Sequence, residues 1–412
     1  MTAITEILLW LLAVPLAGAS AYLGMLAVLA LVPGRHSARR PVRVATAAAL
    51  RRFAVIVPAH NEERTLPALL RSLNETDYPA GLVRVVVVAD NCDDATAAVA
   101  RSLGADAYER RDTTAVGKGH ALAFGVARLD ARHDAVVFVD ADCTVSADLF
   151  RACNDRLAAG ADVVQAYYTM RIAGTSSTRL VRELALALVH RVRPLGKRWY
   201  GGSAGLKGSG MCFSRHALDR MGWTASGLAE DVEQHIRLVR QGMPVAFAPE
   251  AVVTGESPAA LRDAAGQHRR WEAGRLAAAR REGVPLLLSA LRHRSLLQLD
   301  AAIELLVPPV SLLGAALPAL LAAALLMGSS ALVAIVAAAL AALAIYLLSG
   351  LVLIRPSARE LAQCAAALPR YMLWKLWLYA RAATSKAGGW ERTGRVDPAP
   401  LAGSGAEAPP RP

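Results

Sequence analysis

The sequence predicts an α/β domain built on a mostly parallel sheet and flanked by transmembrane helices. Three observations lead there. Strand-like and helix-like runs alternate between residues 53 and 139, two long stretches on either side carry no charge, and acids recur just past the strand-like runs. Alternating strands and helices imply a parallel sheet covered on both faces. Such sheets bind ligands beyond the carboxyl ends of their strands.

The N-terminal element is Ile7–Val32, 26 residues without a charge. As a helix it would run roughly 39 Å, against a hydrocarbon core of about 30 Å. A cleaved signal peptide is the alternative, but no basic residue precedes the run, Glu6 stands ahead of it, and it exceeds a typical apolar signal region. Residues 1–34 are therefore expected to span a membrane. A second uncharged stretch, Leu305–Ile354, has 50 residues, enough for two spans with "MGSS" (327–330) as the turn. Basic residues follow the first span at Arg35, Arg39, Arg40, Arg43, Arg51 and Arg52, and the third at Arg355, Arg359, Arg381, Lys386, Arg392 and Arg395. The positive-inside rule puts residues 33–304 and the C-terminus in the cytoplasm, as in a multi-pass inner (plasma) membrane protein.

Composition narrows the partners. Hydrophobic residues make up 54% and charged residues 19%, which leans away from an ordinary soluble protein. Five cysteines without a C-x-x-C pair agree with a reducing compartment. The net charge of +12 suits a lipid surface. Nucleic acid is excluded as a partner, because no basic and aromatic recognition module is present.

Between the spans, residues 50–280 form the soluble domain. "FAVIVPAHNEERTLPALLRSL" (53–73) reads strand, turn, helix, with Leu66, Leu69, Leu70 and Leu73 at helical spacing. "VRVVVVADNCDDATAAVARSL" (83–103) repeats the pattern, with Asp94 and Thr96 as cap residues. A third unit runs from a helix near 119–129 into the strand 135–139. Glu62, Asp90, Asp140 and Asp142 all lie at or past strand ends, so the site suits a ribose, a metal ion, or both. Asp140 and Asp142, two apart, would share one side of a strand, where a divalent ion with oxygen ligands would offset their repulsion; a strand that exits into a polar turn, with Asp142 opening the next helix, is the alternative. "AVGKGHAL" (115–122) lacks the further glycine and the Ser or Thr of a phosphate loop, though Lys118 can still reach a phosphate.

Glu230 and Asp231 open a helix that Gly242 stops. In "QHRRWEAGR" (267–275), helical spacing puts Gln267, Arg270 and Trp271 on one face. Arg forks onto phosphate oxygens and an indole offers a flat apolar surface, so this face suits an anion beside a sugar ring. A membrane-surface helix is the competing reading. Residues 281–304 are expected to be an interfacial amphipathic segment and 305–354 two transmembrane helices. The stretch 359–383 is apolar but holds Pro369, Arg370 and Lys375. Each charge at a span's centre costs about 2.5–3.5 kcal/mol, so an interfacial or re-entrant helix is expected. The tail 396–412, rich in Pro, Ala and Gly, is expected to be disordered.

Taken in order, "PAHNE", "VVADNCDDAT", "VDAD", "AED" and "QHRRW" resemble the membrane-bound family 2 inverting nucleotide-sugar glycosyltransferases, such as the cellulose, chitin and hyaluronan synthases and ceramide glucosyltransferase. The resemblance implies a GT-A type nucleotide-sugar-binding domain. It implies that Glu62 and Asp90 contact the nucleoside and that Asp140 and Asp142 hold Mg²⁺ or Mn²⁺ on the donor diphosphate, with Lys118 a further donor contact. Asp231 matches the family's catalytic base, and Glu230 stands beside it on the acceptor side. Gln267 and Arg270 match residues near the diphosphate, and Trp271 one beneath the acceptor sugar. "GLKGSGMCFSR" (205–215) resembles the acceptor wall. Ala229 replaces the usual Thr before the E-D pair, and His268 stands where Gln or Arg is commoner. The function implied is transfer from a nucleotide-sugar donor, a UDP-sugar foremost, to a saccharide acceptor in surface polysaccharide synthesis. A single transfer to a lipid acceptor and a non-catalytic membrane scaffold are the rivals. Three spans form a thin wall for a pore, so self-association or a partner channel is also expected.

Overall fold

β1 (Phe53–Ala59) is a near-continuous apolar run, and Phe53–Val57 are fully buried. A strand covered on both faces has no use for alternation, so it takes a central position. The computed structural model describes residues 2–32, 50–172, 177–227 and 229–384, and the tail at 396–412 lies outside them. The other strands are β2 (Val83–Asp90), β3 (Asp106–Arg110), β4 (Ala135–Phe138), β5 (Cys143–Val145), β6 (Val163–Ile172), β7 (Met211–Ser214) and β8 (Val245–Ser257). They form one eight-stranded sheet in the order β3-β2-β1-β4-β7-β6-β8-β5.

β3, β2, β1 and β4 pair in parallel, as do β6 and β8. β7 runs antiparallel to both its neighbours, and β5 to β8. The alternating strand–helix units thus account for the parallel half. The antiparallel pairings all involve β5 or β7.

Helices cover both faces. α2 (Leu66–Asn74), α3 (Thr96–Ser102) and α5 (Leu149–Ala158) pack on one side, where Phe53, Tyr78 and Phe150 stack with centroids 5.3–5.7 Å apart. α4 (Lys118–Val126) and α8 (Arg215–Met221) close the other, around Phe138, Phe213 and Trp223. α6 (Arg179–Ala187), a π turn at Leu188–Val192 and α7 (Arg193–Lys197) lie between β6 and β7, and α9 (Glu230–Arg240) lies between α8 and β8.

α1 (Thr2–Leu31) and α13 (Ser330–Ile354) are long and apolar enough to cross a membrane. The uncharged run from 305 is not one straight helix. α11 (Leu296–Leu306) and α12 (Val310–Leu326) are bent by 72° across Val307–Pro309, and together they count as a third crossing if that broken pair is one span. Two consecutive prolines explain the break, since neither can donate to a helix ladder. The turn expected at 327–330 falls at residues 327–329.

The segment 281–304 comprises the end of α10 (Leu261–His293) and most of α11, packed as a pair. Its Val284, Leu288, Leu291 and Leu296 are exposed, as an interfacial face would be, while Asp300 is buried in ion pairs. α14 (Ala358–Thr384) is one helix through Pro369.

Candidate active site

The carboxyl ends of β2, β1 and β4 lie side by side, which brings Asp90, the Asn61–Glu62 turn and Asp140 along one edge. Asn61 and Asn91 leave β1 and β2 with φ of 56° and 52°. Asparagine tolerates this left-handed region better than most side chains, so both strands turn sharply there. Thr96 Oγ1 accepts from the Glu62 N–H at 2.8 Å. Thr65 Oγ1 donates to the Glu62 carboxylate. Asp90 is buried, and its Oδ1 accepts from Arg110 at 2.6 Å and from Asn91 at 3.1 Å. Arg110 also holds Asp112 at 2.9 Å and the Ala115 carbonyl at 2.7 Å. Sequence reading missed Arg110. Its signal was a cation ending the strand next to Asp90's.

A second cluster surrounds Lys118, the first residue of α4. Its Nζ lies 2.6 Å from Asp140 Oδ1 and 3.4 Å from Glu230 Oε1, and it donates to the Gly208 carbonyl at 2.7 Å. The flanking glycines place it. Gly117 adopts φ of +127°, and a Cβ on Gly119 would stand 2.2 Å from the Ala225 carbonyl, so only glycine fits. Gly208, at φ +82°, brings its backbone close to both Lys118 and Asp231, whose Oδ2 lies 3.8 Å from where a Cβ would be.

The loop carrying Gly208 is pinned from below. Gln165, fully buried in β6, donates to the Ser209 carbonyl at 2.8 Å and accepts from the Lys207 N–H at 2.9 Å. Ser209 Oγ accepts from the Asp140 N–H at 3.1 Å. A glutamine inside an apolar strand was the overlooked signal, since a buried amide must find partners.

Electrostatics follow from this packing. Burial raises the Glu230 carboxyl to about 7, against the pull of Lys118 and with the push of Asp231. Burial raises Asp231 as well, opposed by Lys118 and Lys207. For Lys118, burial alone would lower the ammonium, but Asp140 and Glu230 hold it well above its usual value. Two carboxyls pushed upward beside a cation suit general-base chemistry.

Asp140 and Asp142 also offer ligand atoms, with Cys143 Sγ, all within 4.8 Å of one another. Ser209 Oγ donates toward that sulfur, and burial first, then the nearby aspartates, keep the thiol protonated. The two carboxylates therefore fit a hard divalent cation such as Mg²⁺ or Mn²⁺.

Gln267, Arg270 and Trp271 come from the first turns of α10, which β8 feeds. Gln267 Oε1 is buried without a hydrogen-bond partner. Trp271 is 37% exposed, and its ring meets His268 at 5.2 Å. The structure thus brings Lys118, Asp140, Glu230 and Asp231 into one cluster, with Asp142 two residues from Asp140. Glu62 and Asp90 lie further along the same edge, and the Gln267–Trp271 face belongs to a separate helix.

A family model described as Glycosyltransferase like family 2 matches residues 51–274. Among curated proteins, the chain is 27% identical over 238 residues to "Probable glycosyltransferase YdaM" of Bacillus subtilis (strain 168), covering 55% of each. It is 41% identical over 93 residues to the 4,4'-diaponeurosporenoate glycosyltransferase of Staphylococcus aureus (strain MRSA252), covering 22% of this chain and 24% of that one. The chain thus spans about half the length of the first relative and a quarter of the second. Among solved structures, it resembles a mannosyltransferase, PcManGT, from Pyrobaculum calidifontis in complex with GDP-Man and Mn²⁺. That likeness has a TM-score of 0.53 at 19% identity, covers 93% of this chain and 96% of that one, and shows a shared GT-A-like fold.

Proposed function

Because the chain belongs to the Glycosyltransferase like family 2, we propose that it moves a sugar from a nucleoside-diphosphate donor, a UDP-sugar foremost, to a saccharide acceptor at the cytoplasmic membrane face. The observation that carries this reading is the cluster at the sheet edge, where Lys118 stands 2.6 Å from Asp140 and 3.4 Å from Glu230, next to Asp231.

The nucleoside lies toward Glu62 and Asp90. Arg110 and Asn91 occupy Asp90 Oδ1, which leaves Oδ2 to accept from a base N–H. Asp140 and Asp142 would hold Mg²⁺ or Mn²⁺, which supplies charge neutralisation for the departing diphosphate. Lys118, Arg270 and the Gln267 amide add fixed positive charge and donors there. Asp231 takes the proton of the acceptor hydroxyl as its oxygen bonds to the anomeric carbon. The bond from that carbon to the diphosphate oxygen breaks, and its electron pair leaves with the nucleoside diphosphate. One displacement inverts the centre, and no enzyme nucleophile is used. Trp271, half open to solvent, offers its face to the acceptor ring.

A second reading, single transfer to a lipid acceptor, is favoured by the membrane helices. Leu23, Ala27, Leu313, Leu317, Leu332, Val336 and Tyr346 fill the interior among α1, α12 and α13, so these helices alone enclose no conduit for a polymer. A polymer product would need self-association or a partner channel. Incubating membranes with a panel of radiolabelled UDP- and GDP-sugars, with Mn²⁺ or with EDTA, tests the proposal. Label in polysaccharide supports the first reading and label extracted with lipid the second. No transfer from any donor, or transfer unaffected by chelation, defeats it.

A further inference from the structure

We infer that Lys375, on the C-terminal helix α14, is a positioning residue for the Gln267–Arg270–Trp271 face of α10. The inference rests on the glycosyltransferase reading above.

Lys375 lies on a helix the sequence reading placed at the membrane surface, yet its side chain is only 9% exposed. Its Nζ lies 2.9 Å from Glu272 Oε1 and 3.3 Å from His268 Nδ1. Tyr379, one turn further along, also donates to Glu272 Oε1, at 3.3 Å. Trp374 meets His268 edge-on at 5.2 Å, and His268 meets Trp271 at the same distance. An unbroken chain of contacts therefore runs from α14 through His268 to the indole that faces the acceptor.

A lone helix face can roll about its axis, and a few degrees of roll displace Arg270 and Trp271 together. Residues 268 and 272 are one turn apart, so a cation bridging them fixes that roll. An apolar residue at 375 would leave the half-buried Glu272 carboxylate without its charge partner, with Tyr379 alone to hold it, and the helix would relax toward solvent. This also accounts for His268, which departs from the resembled motif. A neutral imidazole can accept from Lys375 and pack edge-on between two indoles, whereas an arginine there would repel the ammonium.

The test uses the detergent-solubilised full chain and calorimetric binding of UDP and of GDP with Mn²⁺, following whichever binds more tightly. Lys375→Met is expected to weaken binding about fivefold or more, and Lys375→Arg to restore most of it. Glu272→Gln is a second route to the same loss, should Lys375→Met fold poorly. Arg270→Ala is expected to weaken binding too, and adding Lys375→Met to it is expected to change nothing further, because one acts through the other. Normal binding by Lys375→Met and Glu272→Gln beside a weakened Arg270→Ala overturns the inference alone. So do fully additive losses, which mean a general loss of structure. Normal binding by Arg270→Ala overturns the motif reading, and the inference with it.

Discussion

Asp231 carries the most exposed assignment at the scale of single residues. Asp231→Asn keeps the shape and removes the proton acceptor, so the transfer rate is expected to fall by about 10²–10⁴ while UDP or GDP binding is kept. A loss under about tenfold, measured in single-turnover assays, would reduce Asp231 to a helix-start residue. The pH profile gives an independent reading. Burial raises both Asp231 and Glu230, so an acid limb of kcat/KM set by Asp231 should lie above the ordinary carboxylate range. As the proposed base, Asp231 must be ionised, so activity is expected to fall as pH drops. Glu230→Gln removes a neighbouring negative charge, makes ionisation easier, and should move that limb to lower pH. Lys118→Met removes the stabilising cation and should move it upward. Linkage gives the ligand-free protein the opposite slope in stability. A folded-state carboxyl raised from 4.5 to about 7 contributes fully below the lower value and loses its contribution as pH rises through the upper one. Thermal melts of wild type and Glu230→Gln across that range would show it, with the variant flatter.

At the scale of elements, β1, β2 and β4 were legible because each is an apolar run joined to a helix stripe, whereas β3 (DAYER), a polar strand at the sheet edge, was not. The Gly-Lys-Gly turn, the acids at strand ends and the α9 start were legible for a related reason: local sequence alone sets them. What could not be read were partnerships across the chain, such as Arg110 with Asp90, Gln165 beneath the 205–210 loop, and Lys375 with Glu272. Sequence offers each as one polar residue in an apolar neighbourhood and does not say what it meets. The largest such partnership joins α7 to α11. Lys197, fully buried, lies 2.8 Å from Asp300 and also pairs with Glu304, while Tyr22 and Tyr200 donate to Asp300 at 2.8 and 2.7 Å. This ties the helix before the 205–210 loop to α1 and to the helix before α12. Lys197→Met leaves the buried Asp300 carboxylate beside Glu304 without its cation, and removing one partner of a buried pair costs about 3–5 kcal/mol. A several-degree fall in the melting midpoint is expected, with partial recovery in Lys197→Met/Glu304→Gln. A single variant that melts like wild type would mean the cluster is solvated and carries no stability.

The whole molecule constrains its own topology more tightly than basic residues do. α1 and α13 run parallel, because Gly24 packs on Ala342 while Glu6 meets Ser329 at their other ends. If both cross the bilayer, their carboxyl ends emerge on one side. α7 packs against that end of α1, where a Cβ on Gly196 would lie 2.4 Å from the Leu26 carbonyl, so the glycosyltransferase domain is on that side too. α14 begins at Ala358, a few residues after α13 ends at Ile354. It then lies against α10 through Lys375 and Glu272, against α6 through Tyr371 and Val181, and against the start of α12, where Ser311 meets Tyr379. If α6 and α10 lie outside the bilayer, a helix held against both does not cross it. Arg370, on its outer face, is exposed beside Leu368 and Leu373, as expected of an arginine at a headgroup boundary. With Cys364 replaced by Ala, Arg370→Cys should react with a membrane-impermeant maleimide in inverted vesicles and not in intact cells. A cysteine at residue 4, on the far end of α1, should show the reverse. Labelling of Arg370→Cys from outside intact cells would require a further crossing, would break the Lys375–Glu272 pair, and would reopen the case for a self-contained translocating synthase.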